Sequence, residues 1–144
     1  MPTLKKLVLD SSVIIKWLNK KNEQYLAQAN KLLDELELGT IEVSVPHLVK
    51  FEVANALLKG KRLLSEEAAF ALDSFNKLPL QYFDFDLSLL RECYKIAEKQ
   101  NITFYDASFI ALAKHLNATL ITDNPKHQKK FVNVNIISLE DYHR

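Results

Sequence analysis

The stretch Leu7-Val8-Leu9-Asp10-Ser11-Ser12 constrains this chain more than any other. Three large apolar residues in a row, without alternation, describe a strand buried on both faces, the kind found inside parallel sheets. The run then stops at a carboxylate. Open α/β sheets bind their ligands at the carboxyl ends of strands. A carboxylate at the rim of a core is costly unless a metal ion, a basic partner or a helix N-terminus compensates it. Asp10 is therefore either a helix cap or one wall of a charged site, and the rest of the chain must decide.

Downstream, helices and strands alternate. A helix is expected over residues 13–19, with Ser11 or Ser12 as its cap. Within 23–38, Leu26, Ala29, Leu32, Leu33 and Leu36 recur at helical spacing, and Gly39 closes that helix. Residues 41–45 alternate and are β-branched, hence a strand. Pro46 then opens a helix at its first position. Leu48, Val49, Phe51, Val53 and Leu57 belong to its apolar set, and Gly60 ends it. Further helices are expected over 65–76, 86–99, 103–116 and 126–131, and strands over 80–83, 118–121 and 134–137. This order indicates an α/β fold: a central, mainly parallel sheet in a single domain spanning 1–144. A chain of 144 residues that is 48% hydrophobic can build one such core.

Several functional classes drop out. Two glycines cannot make a glycine-rich phosphate loop. A lone cysteine, Cys93, excludes an intrachain disulfide framework and a multi-cysteine zinc site, and fits a reducing, cytoplasmic setting. No window holds the roughly 18 apolar residues of a membrane span, and no signal peptide is visible. The net charge of +1 gives no global pull toward nucleic acid, so such a substrate would need a local basic patch.

Four acids stand apart from the ordinary surface carboxylates. Asp10 ends the buried strand. Glu52 has Leu48, Val49, Asn55 and Ala56 as helical neighbours, mostly apolar company for a carboxylate. Asp106, in Tyr105-Asp106-Ala107-Ser108, points along an apolar helix face. Asp123 follows the strand residues Leu120-Ile121-Thr122. Each has a structural alternative: a cap for Asp10, a salt bridge to Lys50 or Lys59 for Glu52, a first-turn acid for Asp106, a turn residue for Asp123. Together, two acids at strand ends and two on core-facing sides of helices can converge on one edge of a parallel sheet. Clustered carboxylates repel and call for a cation. Oxygen ligands select hard ions, Mg²⁺ or Mn²⁺, and such a centre suits phosphodiester hydrolysis.

The chain resembles PIN-domain ribonucleases, particularly the VapC-type toxins of VapBC toxin–antitoxin pairs. The resemblance rests on Val8-Leu9-Asp10-Ser11-Ser12, Phe51-Glu52-Val53-Ala54-Asn55-Ala56-Leu57, Tyr105-Asp106-Ala107-Ser108-Phe109-Ile110-Ala111-Leu112-Ala113 and Leu120-Ile121-Thr122-Asp123-Asn124. It covers essentially the whole chain. It implies helices on both sides of the sheet and an acidic pocket that cleaves RNA with Mg²⁺ or Mn²⁺. Asp10 and Asp106 are the implied metal ligands, Glu52 completes the pocket, and Ser12 orients the first acid or a water. The late motif departs from the family pattern: Asn124 stands where the fourth acid is expected, and Asp123 comes one position early. The resemblance also implies a homodimer and a small VapB-type antitoxin whose tail covers the site.

Phosphate contacts would fall to Lys16, Lys50, Lys59, Lys61, Arg62, Lys126, His127, Lys129 and Lys130. Trp17 and Tyr105 can stack on a base, although core packing is the expectation for both. Two other readings compete. A haloacid-dehalogenase-type phosphatase also opens on a strand ending in Asp, but needs a second Asp where this chain has Ser12. A catalytically degenerate binding module of the same fold is favoured only by Asn124.

Overall fold

The computed structural model describes residues 4–124 and 133–142. Among them, five strands form one parallel sheet: β1 (Lys5–Leu9), β2 (Ile41–Pro46), β3 (Gln81–Phe83), β4 (Thr119–Thr122) and β5 (Ile136–Ser138), in spatial order β3-β2-β1-β4-β5. The six α-helices are α1 (Ser11–Leu18), α2 (Leu26–Leu38), α3 (Val49–Asn55), α4 (Ser65–Asn76), α5 (Leu87–Gln100) and α6 (Phe104–Leu116). The α/β expectation, with helices flanking a parallel sheet, holds.

β1 is the central strand, as its unbroken apolar run requires. Leu7, Val8 and Leu9 are fully buried. Their neighbours across the ladder are Val43 and Ser44 on β2 and Thr119, Leu120 and Ile121 on β4. The path runs outward from β1 through β2 to β3, then returns to the other side of β1. Parallel crossovers are right-handed, so the direction reversal sends the later helices to the opposite face. It also opens a crevice between the carboxyl ends of β1 and β4, the topological switch point of the sheet. The backbone closes this crevice from below: Asp10 N–H donates to Ile121 O at 3.2 Å.

Helix α6 lies across β1, β2 and β4 and pairs with α5. Its Ala107-Ser108-Phe109-Ile110-Ala111-Leu112-Ala113 stretch is buried throughout, because small residues let the helix sit close to the sheet. Helix α1 packs against α2, α3 and α4 and against β4.

Some boundaries differ from the sequence expectation. Helix α1 begins at Ser11, not 13, and Asp10 is its N-cap, not Ser11 or Ser12: Oδ1 accepts from Ser12 N–H at 2.7 Å. Helix α2 begins at Leu26, because Tyr25 is left-handed at φ 58 and Glu23 serves an ion pair. Pro46 does not open a helix. It ends β2 opposite Phe83, where a strand end tolerates the missing N–H. Helix α3 starts only at Val49 and widens into a π-helical turn over Ala56–Gly60, so Gly60 does mark the end. The helix expected over 126–131 lies outside the described residues. No helix among those described is long and apolar enough to cross a membrane.

Candidate active site

Asp10 reaches the switch point as the extended residue between the end of β1 and the start of α1. One carboxylate oxygen caps α1. The other, Oδ2, accepts from the buried Thr122 hydroxyl at 2.8 Å. The two structural readings of Asp10 are therefore compatible, since one oxygen serves the helix while the carboxylate stays on the edge. Thr122 in turn accepts from Asn124 N–H at 3.0 Å, and Ser12 Oγ accepts from Asp123 N–H at 3.1 Å. The loop after β4 is thus tied to the start of α1 by hydroxyls from both sides. Ser12, where a phosphatase would need its second acid, is one of these ties.

Glu52 approaches from α3. Its Oε1 accepts from Ser11 Oγ at 3.2 Å, so α1 and α3 meet at the edge. The carboxyl is pushed up to about 7 by burial first, then by the charge of Asp10, with a smaller push from Asp106; the Ser11 bond pulls the other way. Both aspartates thus act on Glu52 through their charge. Asp106 sits in the first turn of α6, where Thr103 Oγ accepts its backbone N–H at 3.0 Å as the N-cap.

Asp123 lies at the same edge but is engaged differently. Its Oδ2 is 2.9 Å from the Lys16 ammonium. Lys16 is 1% exposed and also donates to Glu23 Oε1 and to the Gln24 carbonyl, both at 2.8 Å. Burial opposes its charge, but the bonds and charges of Glu23 and Asp123 more than offset this, so its pKa is raised. Lys16 is therefore a buried structural cation and not the surface phosphate ligand the sequence proposed. Lys61 is similarly occupied, with Glu23 Oε2 at 2.6 Å and the Lys21 carbonyl as partners. Lys59 and Arg62 remain exposed, and Lys50 lies over the Tyr82 ring, 4.5 Å from its centroid. Lys126, His127, Lys129 and Lys130 lie outside the described residues.

Beside the acids is a cavity of about 430 Å³ lined by Leu48, Phe51, Glu52, Asn55 and Tyr105. Phe51 is 78% exposed and Tyr105 60% exposed. Neither packs into the core, which for Tyr105 is contrary to the sequence reading. Trp17 does, with Nε1 donating to Ala29 O at 2.7 Å. Each exposed aromatic immediately precedes an acid, in Phe51-Glu52 and Tyr105-Asp106. Sequence reasoning also missed Ser11 and Glu23. Their partners lie 41 residues away for Ser11 and 38 for the Glu23–Lys61 pair, so no local pattern marks them.

The donor set is carboxylate and hydroxyl oxygen, which suits a hard divalent ion. Among the described residues no three His, Cys, Asp or Glu side chains are grouped so as to hold an ion by themselves.

Known proteins resemble this chain in sequence and fold. The family model described as PIN domain matches residues 7–131. Ribonuclease VapC3 of Pyrobaculum aerophilum is 30% identical over 134 residues, covering 88% of this chain and 95% of the relative. The crystal structure of VapBC2 from Rickettsia felis bound to a DNA fragment from their promoter covers 92% of this chain and 98% of that chain, with a TM-score of 0.69 at 21% identity. VapC20 of Mycobacterium tuberculosis, titled a sarcin–ricin loop cleaving toxin, covers 90% and 98%, with a TM-score of 0.68 at 15% identity. At those identities the two structures speak to the fold; the family rests on the model match and on the VapC3 relative. This chain belongs to the PIN domain family and is of the VapC type.

Proposed function

We propose that this chain is a divalent-metal-dependent endoribonuclease and the toxin of a toxin–antitoxin pair. What supports the reading is Glu52, which accepts from Ser11 beside Asp10 and whose carboxyl is pushed up to about 7 by burial first and then by the charges of Asp10 and Asp106. The VapC3 relative supports RNA as substrate, and the VapBC neighbour supports an antitoxin as partner; the homodimer rests on the family resemblance alone.

Asp10 and Asp106 would hold the ion, Mg²⁺ or Mn²⁺, with Thr122 and Ser12 fixing the Asp10 side. The ion, when bound, would polarise the scissile phosphate and offset the charge that develops on it. Glu52 would take a proton from the attacking water. Ser11 orients that carboxylate. Phe51 and Tyr105 offer faces on which unpaired bases stack, as single-stranded RNA requires. Lys59 and Arg62 contribute exposed positive charge toward the backbone.

The test incubates purified protein with labelled RNA pools in Mg²⁺ or Mn²⁺, beside D10N and D106N. Cleavage should fall by at least about 100-fold in each variant and stop in excess chelator. Cleavage that survives both substitutions would sink the mechanism.

A further inference from the structure

Lys16 is a buried cation that the proposed reaction does not use. It stands on α1, one turn beyond Ser12. An ammonium has three donors. Glu23 Oε1, the Gln24 carbonyl and Asp123 Oδ2 take all three, at 2.8, 2.8 and 2.9 Å. The backbone is bent to make this possible. Asn22 and Tyr25, on either side of Glu23, are left-handed at φ 59 and 58, and so is Arg62, after Lys61, at φ 56. Side chains rarely adopt that conformation unless their surroundings hold them there. Here it brings Glu23 between Lys16 and Lys61, which together hold its carboxyl below the usual range against the opposing effect of burial.

We infer that Lys16 is a built-in counter-cation that withdraws Asp123 from ion binding, so that the edge takes one divalent ion and excludes a second. The inference rests on the metal-ion reading above. Asp123 is the only charged residue in Thr122-Asp123-Asn124, and Asn124 adds no charge of its own. Its backbone N–H is fixed on Ser12 and its carboxylate faces a buried ammonium, which would repel a second cation. Lys16 is in this sense a positioning residue.

The experiment measures Mn²⁺ binding to the full chain by titration calorimetry and electron paramagnetic resonance. One ion per chain is expected. D123N should leave the count at one and Kd within about threefold, whereas D10N should weaken binding by at least about tenfold. K16M frees Asp123 and should admit a second, weaker ion, which K16M/D123N loses again; K16R should keep the count at one. Two ions in the unaltered chain, D123N weakening binding as much as D10N, or a folded K16M that still takes one ion would each overturn the assignment. If K16M fails to fold by circular dichroism, D123N decides alone. An unaltered chain that binds no ion removes the metal reading and this inference together. An ion bound normally with D123N behaving like D10N removes only the role of Lys16.

Discussion

Glu52 shows at the residue scale what it costs to gather three acids. Its carboxyl rises from 4.5 to about 7 through burial and the charges of Asp10 and Asp106. Between those values the folded chain binds more proton than the unfolded one, so this residue's contribution to stability is full below pH 4.5 and is lost as pH rises through 7. E52Q should flatten that slope and stabilise the ion-free chain at pH 8 by about 1–2 kcal/mol, allowing for solvent screening. Urea midpoints at pH 5 and pH 8 check it; an unchanged slope would count against a shared acidic neighbourhood. Thr122 offers a second test. T122V removes a buried hydroxyl bond to the Asp10 carboxylate, and should cost about 1–3 kcal/mol and weaken Mn²⁺ binding roughly tenfold. The acids were legible because carboxylates amid apolar neighbours disturb a readable pattern. Tyr105 was misread for the mirror reason: an aromatic residue beside an apolar helix face looks like core, although here it faces solvent.

At the element scale, most helices and strands announced themselves through period and caps. Asp86 caps α5 through Leu89 N–H at 2.9 Å, and Thr103 caps α6. T103A should cost about 1 kcal/mol in thermal unfolding, and T103S should recover most of it. Because this cap anchors the turn that carries Asp106, the substitution should also weaken Mn²⁺ binding; a stability loss with unchanged binding would separate cap from site. Three features were not legible. The π-helical turn Ala56–Gly60 is too short to leave a periodic trace. The late start of α2 depends on Glu23 meeting Lys16 and Lys61, contacts set by the fold and not by neighbours in sequence. Pro46 carries the signature of a helix start, but its place opposite Phe83 is decided by sheet pairing.

Across the whole molecule, the β3-β2-β1-β4-β5 order explains why sequence-distant acids meet: the direction reverses beside β1, and its carboxyl end opens there. An ion that binds only the folded chain should raise its stability by about 2.7 kcal/mol at one hundred times Kd, reversibly with chelator, as differential scanning calorimetry can read. Leu58, Phe70, Leu87 and Tyr94 are exposed apolar side chains that the proposed homodimer could cover. Sedimentation velocity should find a dimer, and a monomer at every concentration would refute the proposed assembly. The double duty of Asp10 has a consequence for inheritance. Asparagine caps helices as well as aspartate does, and it relieves the crowding of charge around Glu52. D10N should therefore keep the α1 cap and, at pH 7 without metal, lose at most about 1–3 kcal/mol, the worth of the Thr122 bond that its amide nitrogen cannot accept. Aspartate and asparagine codons differ by one base, so a single transition can silence the proposed enzyme and leave the rest of the chain unaltered. A harmful gene of this kind can be disarmed without being lost, and its silent copies would compete with active ones for the same binding partner.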